Sequence, residues 1–272
     1  MEPTKEITPQ KFSNFLDFKE LWYYRELLYF FAWRDYKVRY KETVIGALWA
    51  LLQPLLTMII FVTFFGRFKE LTGNEVPYVL FVYSGLMLWH FFSNSILGAS
   101  NSFIENHQIV TKVYFPRLIL PLSAILVYFI DLFFAFIILF GLMIFFGHMP
   151  SLLFFIIFPF LIMLLAIAST GIGLFLGTLM VKYKDVKYIT PFFVQLTLFL
   201  SPVIYSTKSL GVISPIVMAN PITGIIDAFR SFLFGIPFDS LGLFISLIVS
   251  LIILILSLVY FKFNEEEFSD IL

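Results

Sequence analysis

Residues 118–181 read LILPLSAILVYFIDLFFAFIILFGLMIFFGHMPSLLFFIIFPFLIMLLAIASTGIGLFLGTLMV, and Asp131 is their one formal charge. A helix crossing about 30 Å of hydrocarbon takes roughly 20 predominantly apolar residues. The stretch is far longer than one crossing, so it predicts two spans. The break falls at Gly147-His148-Met149-Pro150-Ser151, where glycine and proline interrupt a helix.

Working outward, four more segments meet the same criterion. Thr43 to Gly66 and Val76 to Ile104 are free of charge, and Tyr188 to Tyr205 and Ser240 to Phe261 give a fifth and a sixth span. The expected fold is an all-α integral membrane protein of six transmembrane helices. Residues 1–42 form a cytoplasmic segment with an amphipathic interfacial helix, 43–262 the transmembrane domain and 263–272 a cytoplasmic tail. Between the last two spans, Ser206 to Asp239 is apolar but broken by Pro215, Pro221 and Pro237 and by Gly211, Gly224 and Gly235. Irregular backbone at membrane depth needs protein or water to satisfy it. This segment therefore predicts short re-entrant helices.

Composition agrees. The mean hydropathy is +0.94, and 13% of residues are charged, against about 25% in soluble domains. Zero net charge gives no basic field for nucleic acid. The lack of cysteine excludes disulfides, thiolate metal sites and a cysteine nucleophile. The polar start, Met1 to Lys41, is not patterned as a secretory signal.

Lysine and arginine placement sets the expected orientation. On one side fall Lys5, Lys11, Lys19, Arg25, Arg34, Lys37, Arg39 and Lys41, then Lys112 and Arg117, then Lys182, Lys184 and Lys187, then Lys262. Only Arg67, Lys69, Lys208 and Arg230 fall on the other. Both termini are thus expected in the cytoplasm. Before the first span, Phe18, Leu21, Trp22, Leu28 and Tyr29 share one side of a helix, with Leu27 and Phe30 opposite. Such a mixture fits a helix lying along the cytoplasmic leaflet, or one docked on another subunit.

Reactive chemistry is missing. There is no His-Glu-x-x-His motif, no paired aspartate-rich motif and no Gly-Lys dipeptide of a phosphate-binding loop. His90, His107 and His148 are scattered and read as hydrogen-bonded or interfacial residues rather than as metal ligands. Asp131 is the one acid well inside a span. An intramembrane acid is a functional candidate by default, here for ion coupling; a partnered aspartate that packs the bundle is the reading favoured. Ser169, Gly173 and Gly177 recur every four positions, a pattern that lets helices approach closely. Pro54, Pro121, Pro159, Pro191 and Pro202 lie within or at the ends of spans, where they would bend helices.

Four blocks in order carry a family resemblance. They are Arg34-Asp35-Tyr36-Lys37-Val38-Arg39-Tyr40-Lys41 followed by Gly46, Trp49 and Pro54-Leu55; Lys112 to Arg117; Lys182 to Val186; and Asn220 to Arg230. Together they resemble the ABC-2 polysaccharide exporter permeases, which move O-antigen, capsule or teichoic acid chains, with the O-antigen exporters as the nearest branch. The resemblance implies a homodimer joined to two copies of a separate ATPase, with a glycan channel between the permeases. ATP and magnesium would be bound by that partner, leaving this chain without a cofactor or a catalytic residue of its own. It points to a coupling loop around Ser102, Glu105, Asn106, His107 and Lys112, and to an exit gate around Asn220, Pro221, Asp227 and Arg230. Trp49, Tyr83, Trp89 and Tyr205 are candidate aromatics along a glycan path, each equally readable as an interfacial anchor. The alternatives are an ABC-2 permease for another lipid or a drug, an ion-coupled carrier centred on Asp131, and a membrane glycosyltransferase, which the lack of a clustered acidic site disfavours.

Overall fold

The computed structural model describes residues 18–41, 48–66, 76–207, 214–265 and 268. Thr43, Gly46, Lys5, Lys11, Arg67, Lys69, Lys208 and Gly211, all used above, lie outside them. The described residues form helices α1 (Phe18–Tyr23), α2 (Arg25–Lys41), α3 (Leu48–Phe65), α4 (Tyr78–Glu105), α5 (His107–Val110), α6 (Ile119–Phe145), α7 (Leu152–Lys182), α8 (Val186–Phe199), α9 (Ser214–Met218), α10 (Pro221–Phe234) and α11 (Ser240–Asn264).

Four of them, α4, α6, α7 and α11, are long and apolar enough to cross a membrane. The expected break between the third and fourth spans falls where glycine allows it. Gly147 takes φ 71°, a left-handed conformation costly for residues with a Cβ, and Ser151 then caps α7 by accepting from the Phe154 amide at 3.2 Å. Two expected spans come out shorter, as the apolar helices α3 (Leu48–Phe65, 18 residues) and α8 (Val186–Phe199, 14 residues). The fifth was expected to reach Tyr205 but stops at Phe199. Its 14 residues rise about 21 Å. Beyond it Pro202 has no amide to continue the ladder, and the Ser201 hydroxyl turns back to the Thr197 carbonyl at 2.5 Å.

α4 is the hub, packed against α7, α6, α3, α8 and α10. Its most apolar window is 89% buried, against 22% for α11, and it is the least apolar of the four long helices. Burial against protein rather than lipid lets it carry His90, Asn94 and a series of serines. The expected small-residue pattern on α7 does the packing. A Cβ at Gly173 would stand 2.7 Å from that of Ala99, and one at Gly177 would stand 3.1 Å from the Ser100 carbonyl. Larger side chains there would push α7 off α4.

The prolines divide by position. Pro54, Pro159 and Pro191 lie inside α3, α7 and α8. Pro121 sits in the first turn of α6, where no intrahelical donor is lost.

Two apolar clusters result. The larger joins α4, α6, α7 and α10, with Phe136, Phe154, Phe158 and Phe229 in mutual ring contact. The smaller, at the C-terminal ends of α4 and α11, packs Phe103 on Phe261 and Phe268. α2 joins it through Phe31 against Phe115. This revises the expected face of the N-terminal helix. Leu21, Tyr24, Leu27 and Leu28 pack inward, whereas Trp22 and Tyr29 stay 70% and 68% exposed.

Candidate functional site

The first polar centre sits where α2 meets the bundle. Tyr40 donates a hydrogen bond to Asp131 Oδ1, and Arg39 pairs with Asp131 Oδ2 at 3.2 Å. The Arg39 guanidinium also lies 4.6 Å from the Tyr128 ring centre. Burial first, and then the bond to Asp131, hold the Tyr40 phenol above its usual range. The lone intramembrane acid is therefore a partnered one, which answers its solvation problem without a proton relay. Beside it opens a cleft of about 60 Å³, lined among others by Trp49, Gln53, His90, Asn94 and Asp131.

The second centre holds α10. Arg230 is fully enclosed and points four donors inward. Nη1 bonds the Pro202 carbonyl at 2.5 Å, Nη2 the carbonyls of Phe81 and Val203 at 2.8 Å each, and Nε reaches Ser84 Oγ at 3.5 Å. Its guanidinium lies 3.5 Å from the Phe81 ring centre, a cation–π contact strengthened by desolvation. Only glycine fits opposite, because a Cβ at Gly85 would stand 2.5 Å from Nη2. Asp227 lies three residues before Arg230 on α10, yet these bonds of Arg230 go to backbone carbonyls and Ser84. Asp227 instead accepts from Thr207 Oγ1 at 2.6 Å. Asn220 caps α10 and also donates to Ser201 Oγ at 3.0 Å, while Pro221 opens the helix where its missing amide is harmless. The three polar gate candidates thus converge on one turn, residues 200–207.

The third centre is the loop after α4. Asn106 is buried and donates to the Ser102 carbonyl at 2.8 Å, and its Oδ1 accepts from Arg34 Nη2 at 2.6 Å. Arg34 also grips Asp35 at 2.7 Å. Ser102 turns inward to the Ala99 carbonyl. Glu105, His107 and Lys112 are exposed on and beside the four-residue helix α5. One face of this loop is therefore fastened to α2 and the other is free.

The aromatic candidates separate. Tyr83 is enclosed and donates to the Ala135 carbonyl at 3.1 Å. Trp89 is nearly enclosed, its indole N–H toward Thr197 Oγ1 at 3.4 Å. Tyr205 bonds back to the Phe199 carbonyl at 2.8 Å, and Trp49 stands 51% exposed. Sequence reasoning missed Arg39 and Tyr40 as the partners of Asp131, and Gln53, His90 and Asn94 as neighbours in one cleft. Arg39 and Tyr40 lay inside a recognised block, but nothing in linear spacing ties residue 40 to residue 131.

Long apolar helices around a partly polar hub, with Arg39 and Asp131 paired and Arg230 pointed at carbonyls, define a multi-pass membrane protein that holds polar contacts within its bundle. The chain belongs to the ABC-2 type transporter family, matched over residues 26–234, and is a transporter permease. It is 28% identical over 254 residues to an "O-antigen export system permease protein RfbA" of Klebsiella pneumoniae, covering 93% of this chain and 97% of the relative. It is 25% identical over 257 residues to the protein of that name from Myxococcus xanthus, with the same coverage.

Proposed function

We propose that this permease exports lipid-linked polysaccharide of the O-antigen type across the bacterial inner membrane. It works as a homodimer with two copies of a separate ATPase, which binds ATP and magnesium. The supporting observation is similarity along nearly the whole chain to permeases named for O-antigen export. In this reading the chain crosses six times, with α3 and α8 completing the set, both termini are cytoplasmic, and α9 and α10 re-enter from outside. The exposed Glu105, His107 and Lys112 meet the ATPase, and Ser102 and Asn106 anchor that contact from within. The α10 clamp on residues 200–207 frames the exit, and Trp49 is the most exposed of the four aromatic path candidates.

The test is co-expression with candidate ATPase subunits, followed by purification and an ATP hydrolysis assay. A two-plus-two complex whose hydrolysis rises with glycan-linked lipid is the expected result. Stimulation by a drug or another lipid instead would select a different ABC-2 cargo. Loss of complex formation would reject the coupled exporter.

A further inference from the structure

The cleft beside Asp131 holds more hydrogen-bonding capacity than the protein uses. His90 is 8% exposed, and its Nε2 is buried with no hydrogen-bond partner. The amides of Gln53 and Asn94 line the same cleft. Neither makes a hydrogen bond to the described residues, in contrast to Asn101, Asn106 and Asn220, which all do. His90 and Asp131 lie near the midpoints of α4 and α6, and a buried polar group left without a partner is costly. Of these groups only His90 Nε2 is enclosed, and it needs a ligand or water to satisfy it; Asn94 is half-buried and Gln53 exposed, at the open side of the cleft.

Charge decides the kind of ligand. Arg39 is already paired with Asp131, so the cleft offers no uncompensated cation, and an anion would face the Asp131 carboxylate. The idle groups are two amides and an imidazole nitrogen, which match hydroxyls. Trp49 also lines the cleft and keeps 51% of its surface open, offering an aromatic face to sugar C–H groups. The free volume of about 60 Å³ admits the hydroxylated edge of one sugar ring and leaves the rest of the ring against Trp49.

We propose that Gln53, His90 and Asn94, with Trp49 beside them, form a binding subsite for a neutral sugar residue within the bundle. The choice of a sugar rests on the export reading above. The subsite would hold one unit of the chain while the polymer advances.

The test is saturation-transfer NMR on the full-length permease in lipid nanodiscs, with glucose, galactose and mannose as separate probes and inorganic phosphate as the anionic control. Transfer to at least one sugar is expected. It should fall roughly fivefold in Asn94→Leu and in Gln53→Leu, the loss of one neutral hydrogen bond each. Gln53 is exposed, so its variant tests the site without threatening the fold. No transfer to any sugar, equal transfer in wild type and variants, or binding of phosphate alone would overturn the subsite and leave the cleft to water. Delivery of glycan to the cell surface is measured in parallel, with the ATPase present. Sugar binding without export rejects the export reading and leaves the subsite standing; export without sugar binding does the reverse.

Discussion

The clamp on residues 200–207 and the centre at Asp131 are each built around an arginine, and they settle charge in an apolar interior in opposite ways. Arg230 is enclosed among carbonyls, a hydroxyl and a ring, with hydrogen bonds from all three of its nitrogens. It joins α10, the start of α4 and the turn after α8 into one unit. Arg39 is partly exposed and meets a carboxylate, next to a cleft where His90 Nε2 has no partner. A saturated polar centre rigidifies, whereas a partly unsatisfied one keeps capacity for something that arrives. The difference separates a structural device from a candidate binding site, though both would look alike in a table of charged residues.

The sharpest way to break the contrast is Arg230→Met. It removes the donors for three buried carbonyls, and each buried acceptor left unsatisfied costs about 1–3 kcal/mol. Loss of monodisperse protein on size exclusion is expected; a stable variant would show that the clamp is dispensable. Gly85→Ala attacks the same unit from the other side by crowding the guanidinium. Overpacking of this kind costs about 1–3 kcal/mol, read as a lower melting temperature in detergent.

At the other centre, effects on stability are smaller. Asp131→Asn keeps an acceptor for Tyr40 and loses a partly exposed ion pair, about 1 kcal/mol or less. Transport by this variant is expected to continue when the proton gradient is collapsed. Dependence on both the acid and the gradient would restore the ion-coupled reading. Tyr40→Phe deletes one hydrogen bond, about 1 kcal/mol, and should loosen α2 from α6, visible as faster proteolysis of the N-terminal segment. Smallest in stability but informative for coupling is Glu105→Arg. The folded protein should be unchanged while ATP-driven export falls, and normal export would remove the α5 loop from the coupling account.

Much of the fold could be read in advance because lipid imposes a one-dimensional constraint. The run from Leu118 to Val181 has to be two helices, and glycine at 147 with proline at 150 marks the break; α6 and α7 end and begin there. Ser169, Gly173 and Gly177 announced a close helix contact, and α7 makes it against α4. The sites were less legible. Asp227 and Arg230 are three apart on one helix, a spacing that invites a pair, yet Arg230 turns to the carbonyls at residues 81, 202 and 203. Those carbonyls belong to the backbone and leave no mark in a residue string.

The sequence by itself determined that the chain is helical, that it lives in a membrane and which family it resembles, since each follows from composition and local order. Only the tertiary structure decided that Asp131 is held by Arg39 and Tyr40, that α4 is the buried hub, and that Gln53, His90 and Asn94 share one cleft. Those facts depend on which helix faces which. Side-chain direction around a bundle is fixed by packing among distant segments, and an apolar helix reads alike in sequence whether lipid or protein covers it.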